Sequence, residues 1–144
     1  MLKIKRYKPL IDKLFYIILI PTLALLVGCT VIAGFEPVAL FIMLPVDLFC
    51  LYFLISPLFG YVELREKTVF VKFGFFMKKE IPYSKIRGIV KVRQIYADSM
   101  MALKNSLTHI NIKYNTYDLV SVSVKDNDGF IAELNARRKS DITN

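Results

Sequence analysis

Histidine occurs once in this chain and cysteine twice, which removes much of the chemistry that side chains can perform. His109 has no cysteine near it in sequence, so no zinc-type ligand spacing exists. Cys29 and Cys50 fall inside long apolar runs. Their depths differ by roughly 12 Å if each run is a helix rising about 1.5 Å per residue, too far for a disulfide; both read as small apolar residues. A phosphate-cradling glycine pattern is missing. Ser84, Ser106, Ser121 and Ser123 stand in no nucleophile motif. Asp126-Asn127-Asp128 with Gly129 lacks the glutamate that a calcium loop carries at its twelfth place. His109 alternates with Ile110 and Ile112 and is expected to be solvated on the outer face of a strand. Catalysis needs an acid, base or nucleophile beside a partner. The expectation is a protein that is not an enzyme and needs no metal or cofactor.

Charge is nearly missing from residues 14 to 59. Leu14–Ala33 carries none and Val38–Phe59 carries only Asp47, with Gly34-Phe35-Glu36-Pro37 between them. A hydrocarbon layer of about 30 Å takes about 20 apolar residues in a helix, so both runs are long enough to span, and in lipid the backbone must satisfy itself as helix. The expectation is a transmembrane helical hairpin. A signal peptide is the rival reading of the first run. The run is too long for a signal core, no small-x-small cleavage site follows, and a second span begins at once.

Basic residues are abundant where the apolar runs stop. Lys3, Lys5, Arg6, Lys8 and Lys13 precede the first span, Arg65 and Lys67 follow the second, and the loop offers only Glu36. The positive-inside rule then puts both termini in the cytoplasm. Asp47, 11 residues past Glu36, lies about 16 Å deep. Ionised there it would cost on the order of 2.5–3.5 kcal/mol, so it should face protein or be protonated. Thr22 and Thr30 are its nearest polar candidates by depth, and a helix–helix or subunit contact is its expected role. Carbonyls freed by Pro21, Pro45 and Pro57 are further acceptors for a protonated Asp47.

From Gly60 the apolar pattern changes to alternation. Val69, Val71 and Phe73 share a face against Thr68 and Lys72; Glu66-Lys67 makes a tight connection; Gly74 breaks the chain, and Phe75–Ile81 forms a further strand ended by Pro82. Ile86, Val90 and Val92 alternate against Lys85, Arg87, Lys91 and Arg93. Residues 94–105 read as irregular or a short strand. Thr108, Ile110, Ile112 and Tyr114 match Val120, Val122 and Val124 across a turn at Asn115-Thr116. Phe130, Ile131 and Leu134 then recur with a helical period. Ser123 and Asp126 have capping-box spacing, and Arg137, Arg138 and Lys139 fit a last helical turn. The order is β-β-β-β-(β)-β-β-α. The predicted fold is therefore α+β. A basic cytoplasmic segment (1–13) leads into a transmembrane hairpin (14–59, with spans at about 14–33 and 38–59). An antiparallel β-barrel or sandwich capped by one C-terminal helix (60–139) follows, then a tail (140–144).

The tail from residue 60 holds 15 basic against nine acidic residues. Such a surface favours an anionic leaflet by about 1 kcal/mol per nearby cation. Nucleic acid would also be attracted, but no nucleic-acid motif is present and the tether argues against it. Side chains on a strand alternate with period two, so Lys85, Arg87, Lys91 and Arg93 are expected on one face. Aided by Lys78 and Lys79, they would form an anion-binding strip for phospholipid headgroups; a merely solvated strand face is the alternative.

The run Val71-Lys72-Phe73-Gly74-Phe75-Phe76-Met77-Lys78-Lys79-Glu80-Ile81-Pro82-Tyr83-Ser84-Lys85-Ile86 resembles the core signature of bacterial PH-domain proteins of the YyaB-like type. Ala102-Leu103-Lys104-Asn105-Ser106-Leu107 with Ile112-Lys113-Tyr114 is similar to that family's second half. Val122-Ser123-Val124-Lys125-Asp126 with Phe130-Ile131-Ala132-Glu133-Leu134 is similar to its last strand and helix. The resemblance covers roughly residues 61–138 and departs from the family pattern at Val124 and at Ala97-Asp98-Ser99. It implies a pleckstrin-homology fold, usually behind two membrane helices. Phosphoinositide binding is not implied, because the loop Glu66-Lys67 is too short to supply the basic grip. The expected protein is a two-span cell-membrane protein whose cytoplasmic domain acts as an interaction module. Its expected partners are the lipid bilayer, anionic phospholipids, and a membrane protein or second copy of itself. A bacteriocin-immunity or envelope-protection factor is the alternative. A transporter is disfavoured, since two spans with one acid leave no coupling machinery.

Overall fold

The computed structural model describes residues 3–34, 36–96, 98, 102–103 and 106–143. Two long helices, α1 (Lys13–Ile32) and α2 (Pro37–Phe59), occupy the apolar runs. Pro37 opens α2 at a position where its missing N–H costs nothing. Both helices are long and apolar enough to cross a membrane. They pack on each other and leave most of their large side chains outward, with Ile32 and Phe41 more than four-fifths exposed.

A strand that the sequence reading did not anticipate, β1 (Lys5–Tyr7), precedes the helices. It pairs antiparallel with β2 (Tyr61–Leu64), which follows them, in the register Lys5↔Leu64 and Tyr7↔Val62. The helical hairpin is thus an insertion between two neighbouring strands. β2 continues into β3 (Thr68–Phe73) and β4 (Met77–Pro82), giving a four-stranded meander β1-β2-β3-β4. A 3-10 turn at Tyr83–Lys85 leads to the second sheet. That sheet contains β5 (Ile86–Arg93), β6 (Ala102–Leu103), β7 (Thr108–Tyr114) and β8 (Asp118–Val122), in the order β5-β7-β8-β6, with β6 parallel to β8. The described part of the expected 94–105 loop thus includes a short strand; residues 97, 99–101 and 104–105 lie outside the described residues.

Alternation does the work of folding here. Val69, Val71, Ile81, Ile110, Ile112, Val120 and Val122 are fully buried. They form one core with Phe130 and Leu134 of the last helix, α3 (Asn127–Thr143). Burying each such side chain is worth about 1.5–3 kcal/mol. The two sheets form a sandwich and do not close into a barrel. Their seam is stitched by the N-terminal segment, where Pro9 bridges Val124, Leu10 N donates to Ser123 O at 3.0 Å and Lys125 N donates to Lys8 O at 3.2 Å.

Helix α3 begins differently from expectation. Asp126 Oδ1 accepts from Gly129 N at 2.9 Å and caps the helix alone. Ser123 instead donates to Thr108 O, so no capping box forms. The helix also runs on to Thr143, into the expected tail, and its last turn contains no basic residue.

Candidate membrane-facing site

The β3–β4 hairpin meets α2 side-on. Gly74, at φ 89°, opens the turn, a conformation that L side chains rarely adopt. A Cβ here would also collide with the Ser56 hydroxyl of α2. Glycine is therefore required twice, once by the turn and once by the approach of backbone to helix. Beyond it, Phe75 packs on Phe59 with ring centroids 4.5 Å apart and lies 5.9 Å from Tyr52, while Phe76 stacks on Tyr52 at 6.3 Å. The tip stays open to its surroundings all the same, with Phe75, Phe76 and Met77 exposed by 41, 84 and 47%. Behind the tip, Lys72 and Lys78 face each other across the strand pair. The sequence predicts a strand over Phe75–Ile81, whereas β4 begins only at Met77. The signal for the tip is three consecutive apolar residues directly after a glycine, at a turn.

The six basic candidates do not share one surface. Lys85 lies in the 3-10 turn and not on a strand. A β-bulge between Ile86 and Gly88 inserts Arg87 as an extra residue and inverts the alternation beyond it. Ile89 therefore pairs with Ile112 and packs against the core, and Lys91 and Arg93 share its face. Val90 pairs instead with Asn111 and is 47% exposed. Lys91 reaches Asp128 at the start of α3, at 2.7 Å. The expected single face of Lys85, Arg87, Lys91 and Arg93 is thus corrected: the bulge splits it in two. Lys78 is exposed beside the tip, while Lys79 points to the other side of its strand, 5.6 Å from the Tyr114 ring.

His109 does lie opposite Ile110 and Ile112, but it is fully buried, as Asn111 and Ser121 nearly or wholly are. The chain between β5 and β6 must pass from one edge of the second sheet to the other. Asp98 on that crossover accepts from Asn111 Nδ2 at 2.8 Å, and Ser121 Oγ donates to Asn111 Oδ1 at 2.7 Å. Asp98 thus lies over the face expected to be solvated, and His109 Nδ1 sits 3.3 Å from Leu107 O.

Within the helical hairpin, Thr30 Oγ1 lies 2.9 Å from Asp47 Oδ2 and 3.0 Å from Leu26 O, and Thr30 is buried between the helices. Of the two threonines considered, Thr30 is the partner, and Thr22 donates to Ile18 O of its own helix. Asp47 thus serves as an interhelical contact, one of its expected roles.

A second cluster lies where α3 crosses β2. Arg137 is 5% exposed. Its Nε donates to Glu133 at 2.8 Å, Nη1 to Leu64 O and Arg65 O at 3.1 Å, and Nη2 to Lys3 O at 2.7 Å. Tyr83 donates to Arg65 O at 2.7 Å, and burial pushes its hydroxyl up to about 12. Hydrogen bonding from Arg137 lowers the Glu133 carboxyl from its ordinary value. On the outer face of the first sheet, Arg6 and Arg65 flank the buried Glu63, at 2.6 and 3.3 Å. These groups tie the N-terminal segment into the domain. None of them forms an open cleft with a nucleophile.

A meander and a second sheet sharing one core, with a C-terminal helix against them, is the arrangement of a pleckstrin-homology domain. The model of the bacterial PH domain family matches residues 60–138, more than half of the chain, and the chain belongs to that family. No curated protein and no solved structure matches it significantly.

Proposed function

We propose that this protein is a non-enzymatic interaction module held at the cytoplasmic face of the cell membrane by its inserted helical hairpin. The observation that carries this reading is the pairing of β1 with β2 across the hairpin. It roots both helices in one sheet, so the two chain ends and the whole PH-like domain lie on the same side of any membrane the helices span. The basic residues Lys3, Lys5, Arg6, Lys8, Lys13, Arg65 and Lys67 surround those roots, and the connecting loop carries only acid, which supports the cytoplasmic side. The exposure of the apolar helix surfaces supports lipid around them. Anionic headgroups are the partner that fits Lys72 and Lys78, two like charges facing each other in register. Such a pair is unfavourable in itself; the Lys72 ammonium lies 5.7 Å over the Tyr61 ring, and an anion between the two lysines would relieve it further. No feature of the fold favours the immunity reading over this one.

The test is labelling of single cysteines in intact cells, in a chain with Cys29 and Cys50 replaced by alanine. Glu36→Cys should react with an impermeant maleimide from outside, and Glu66→Cys only after permeabilisation. The reverse pattern would overturn the orientation, and equal protection of both sites would overturn the span.

A further inference from the structure

The tip of the β3–β4 hairpin is built from residues that a water-facing turn has no use for. Phe75, Phe76 and Met77 are consecutive, apolar and exposed, and Gly74 pins them against Ser56 of α2. The tip touches α2 well inside its length: Tyr52, on which Phe76 stacks, precedes the helix end at Phe59 by seven residues, about 10 Å at about 1.5 Å per residue. Helix α2, with 23 residues, is about 34 Å long, only slightly more than a hydrocarbon layer of about 30 Å. A tip packed at Tyr52 therefore sits below the headgroups wherever α2 spans. Its apolar surface is continuous with that of the helix through Phe59 and through Tyr52, Phe53 and Phe49, the last two in edge contact at 4.8 Å. One residue beyond the apolar stretch stands Lys78 with Lys72 opposite, at the level where a chain re-entering water would meet phosphate groups.

We infer that the Gly74–Met77 hairpin tip is a wedge inserted among the acyl chains of the bilayer beside α2, with Lys72 and Lys78 on anionic headgroups. This rests on the reading of α1 and α2 as membrane spans. It adds a third point of insertion that fixes the tilt of the domain on the membrane surface. Two helices alone leave the domain free to rock about their roots; a wedge on the same helix removes that freedom. Backbone polar groups at the tip tolerate this depth because the turn packs on α2 and its two strands satisfy each other.

The chain contains no tryptophan, so each introduced one is a clean reporter. Full-length chains carrying Phe76→Trp, Phe53→Trp or Glu66→Trp would be reconstituted in vesicles of phosphatidylcholine and phosphatidylglycerol, with or without bromine on the acyl chains. Glu66 is exposed in the turn at the far end of β3, about 20 Å from the tip at about 3.3 Å per residue. The expected result is emission from Phe76→Trp that is blue-shifted and quenched by brominated chains to an extent comparable with Phe53→Trp, while Glu66→Trp is not quenched. Quenching at Phe53→Trp without quenching at Phe76→Trp above the Glu66→Trp level overturns the wedge and leaves the spans intact. Absence of quenching at Phe53→Trp overturns the spans themselves. Shielding of Phe76→Trp from aqueous iodide without bromine quenching overturns the wedge in favour of a protein cover.

Discussion

Arg137 shows how much one buried residue can hold together. The guanidinium is buried, paired with Glu133, and donates to carbonyls from β2, the residue after it, and the N-terminal segment. Removing it takes this donor from the Leu64 and Lys3 carbonyls, while Arg65 O keeps Tyr83 and the part-exposed Glu133 can turn to water; each unsatisfied buried group costs about 1–3 kcal/mol. Arg137→Ala should therefore lower the unfolding free energy by about 3 kcal/mol or more, read by denaturant unfolding of the detergent-solubilised chain. Arg137→Lys should recover little of it, because one ammonium cannot reproduce the planar fork. A variant with parental stability would show that water replaces these bonds. From sequence, Arg137 reads as one of three cations at the end of a helix, complementing its dipole. Its place is set by the tertiary crossing of α3 over β2, which no local pattern encodes. His109 repeats the lesson: its side of the strand is readable from alternation, but its burial is set by tertiary packing on that face, where Asp98 reaches Asn111.

Elements whose rule is local were legible, and those set by register were not. β3 follows its alternation from Val69 to Phe73 with every predicted inward residue buried; in β7 and β8 the predicted inward Ile110, Ile112, Val120 and Val122 are buried too, but so are His109, Asn111 and Ser121 on the opposite face. β5 begins as expected at Ile86 and then departs: Gly88, a glycine inside a strand, is the one hint of a bulge, and that single insertion reverses each side chain after it. The start of α3 carries a coupled pair. Gly129 lowers helix propensity by about 1 kcal/mol against alanine, yet a Cβ there would collide with the Asp126 carboxylate that caps the helix. Asp126→Ala alone should cost about 1 kcal/mol. In that background Gly129→Ala should regain up to about 1 kcal/mol, whereas in the parent it should gain nothing, because the cap must move aside. Four chains in a double-mutant cycle decide it; strictly additive effects would mean that Asp126 and Gly129 do not share the space.

At the scale of the molecule, the finding that changes most is that a strand ahead of the helices, β1, completes the first sheet beside β2. Reading from residue 60 onward leaves that sheet one strand short, and the basic run Lys5-Arg6-Tyr7 looks like a membrane-flanking stretch because three residues are too few to show alternation. In the fold, Tyr7 is buried edge-on against Phe130 at 5.1 Å, Arg6 binds Glu63, Lys3 O receives Arg137, and residues 8–10 join the seam at 123–125. A fragment of residues 60–144 would lose all of this and expose β2 as a free sheet edge, a template for aggregation. Domains of this size hold only about 5–15 kcal/mol in reserve, and the lost burial and pairing amount to several kcal/mol of it. The fragment should therefore be unfolded or aggregated. A chain with residues 13–59 replaced by a short glycine-serine linker should be soluble and cooperative, because Tyr7 and Val62 are paired neighbours, about 5 Å apart across the ladder. Thermal unfolding followed by circular dichroism distinguishes the two. If residues 60–144 alone melt at the same temperature as the linked form, β1 contributes nothing and the domain is contiguous after all. If only the linked form melts cooperatively, the helical hairpin is an insertion into a domain whose two halves meet in one sheet, and a displacement of α1 against α2 pulls directly on the β1–β2 ladder.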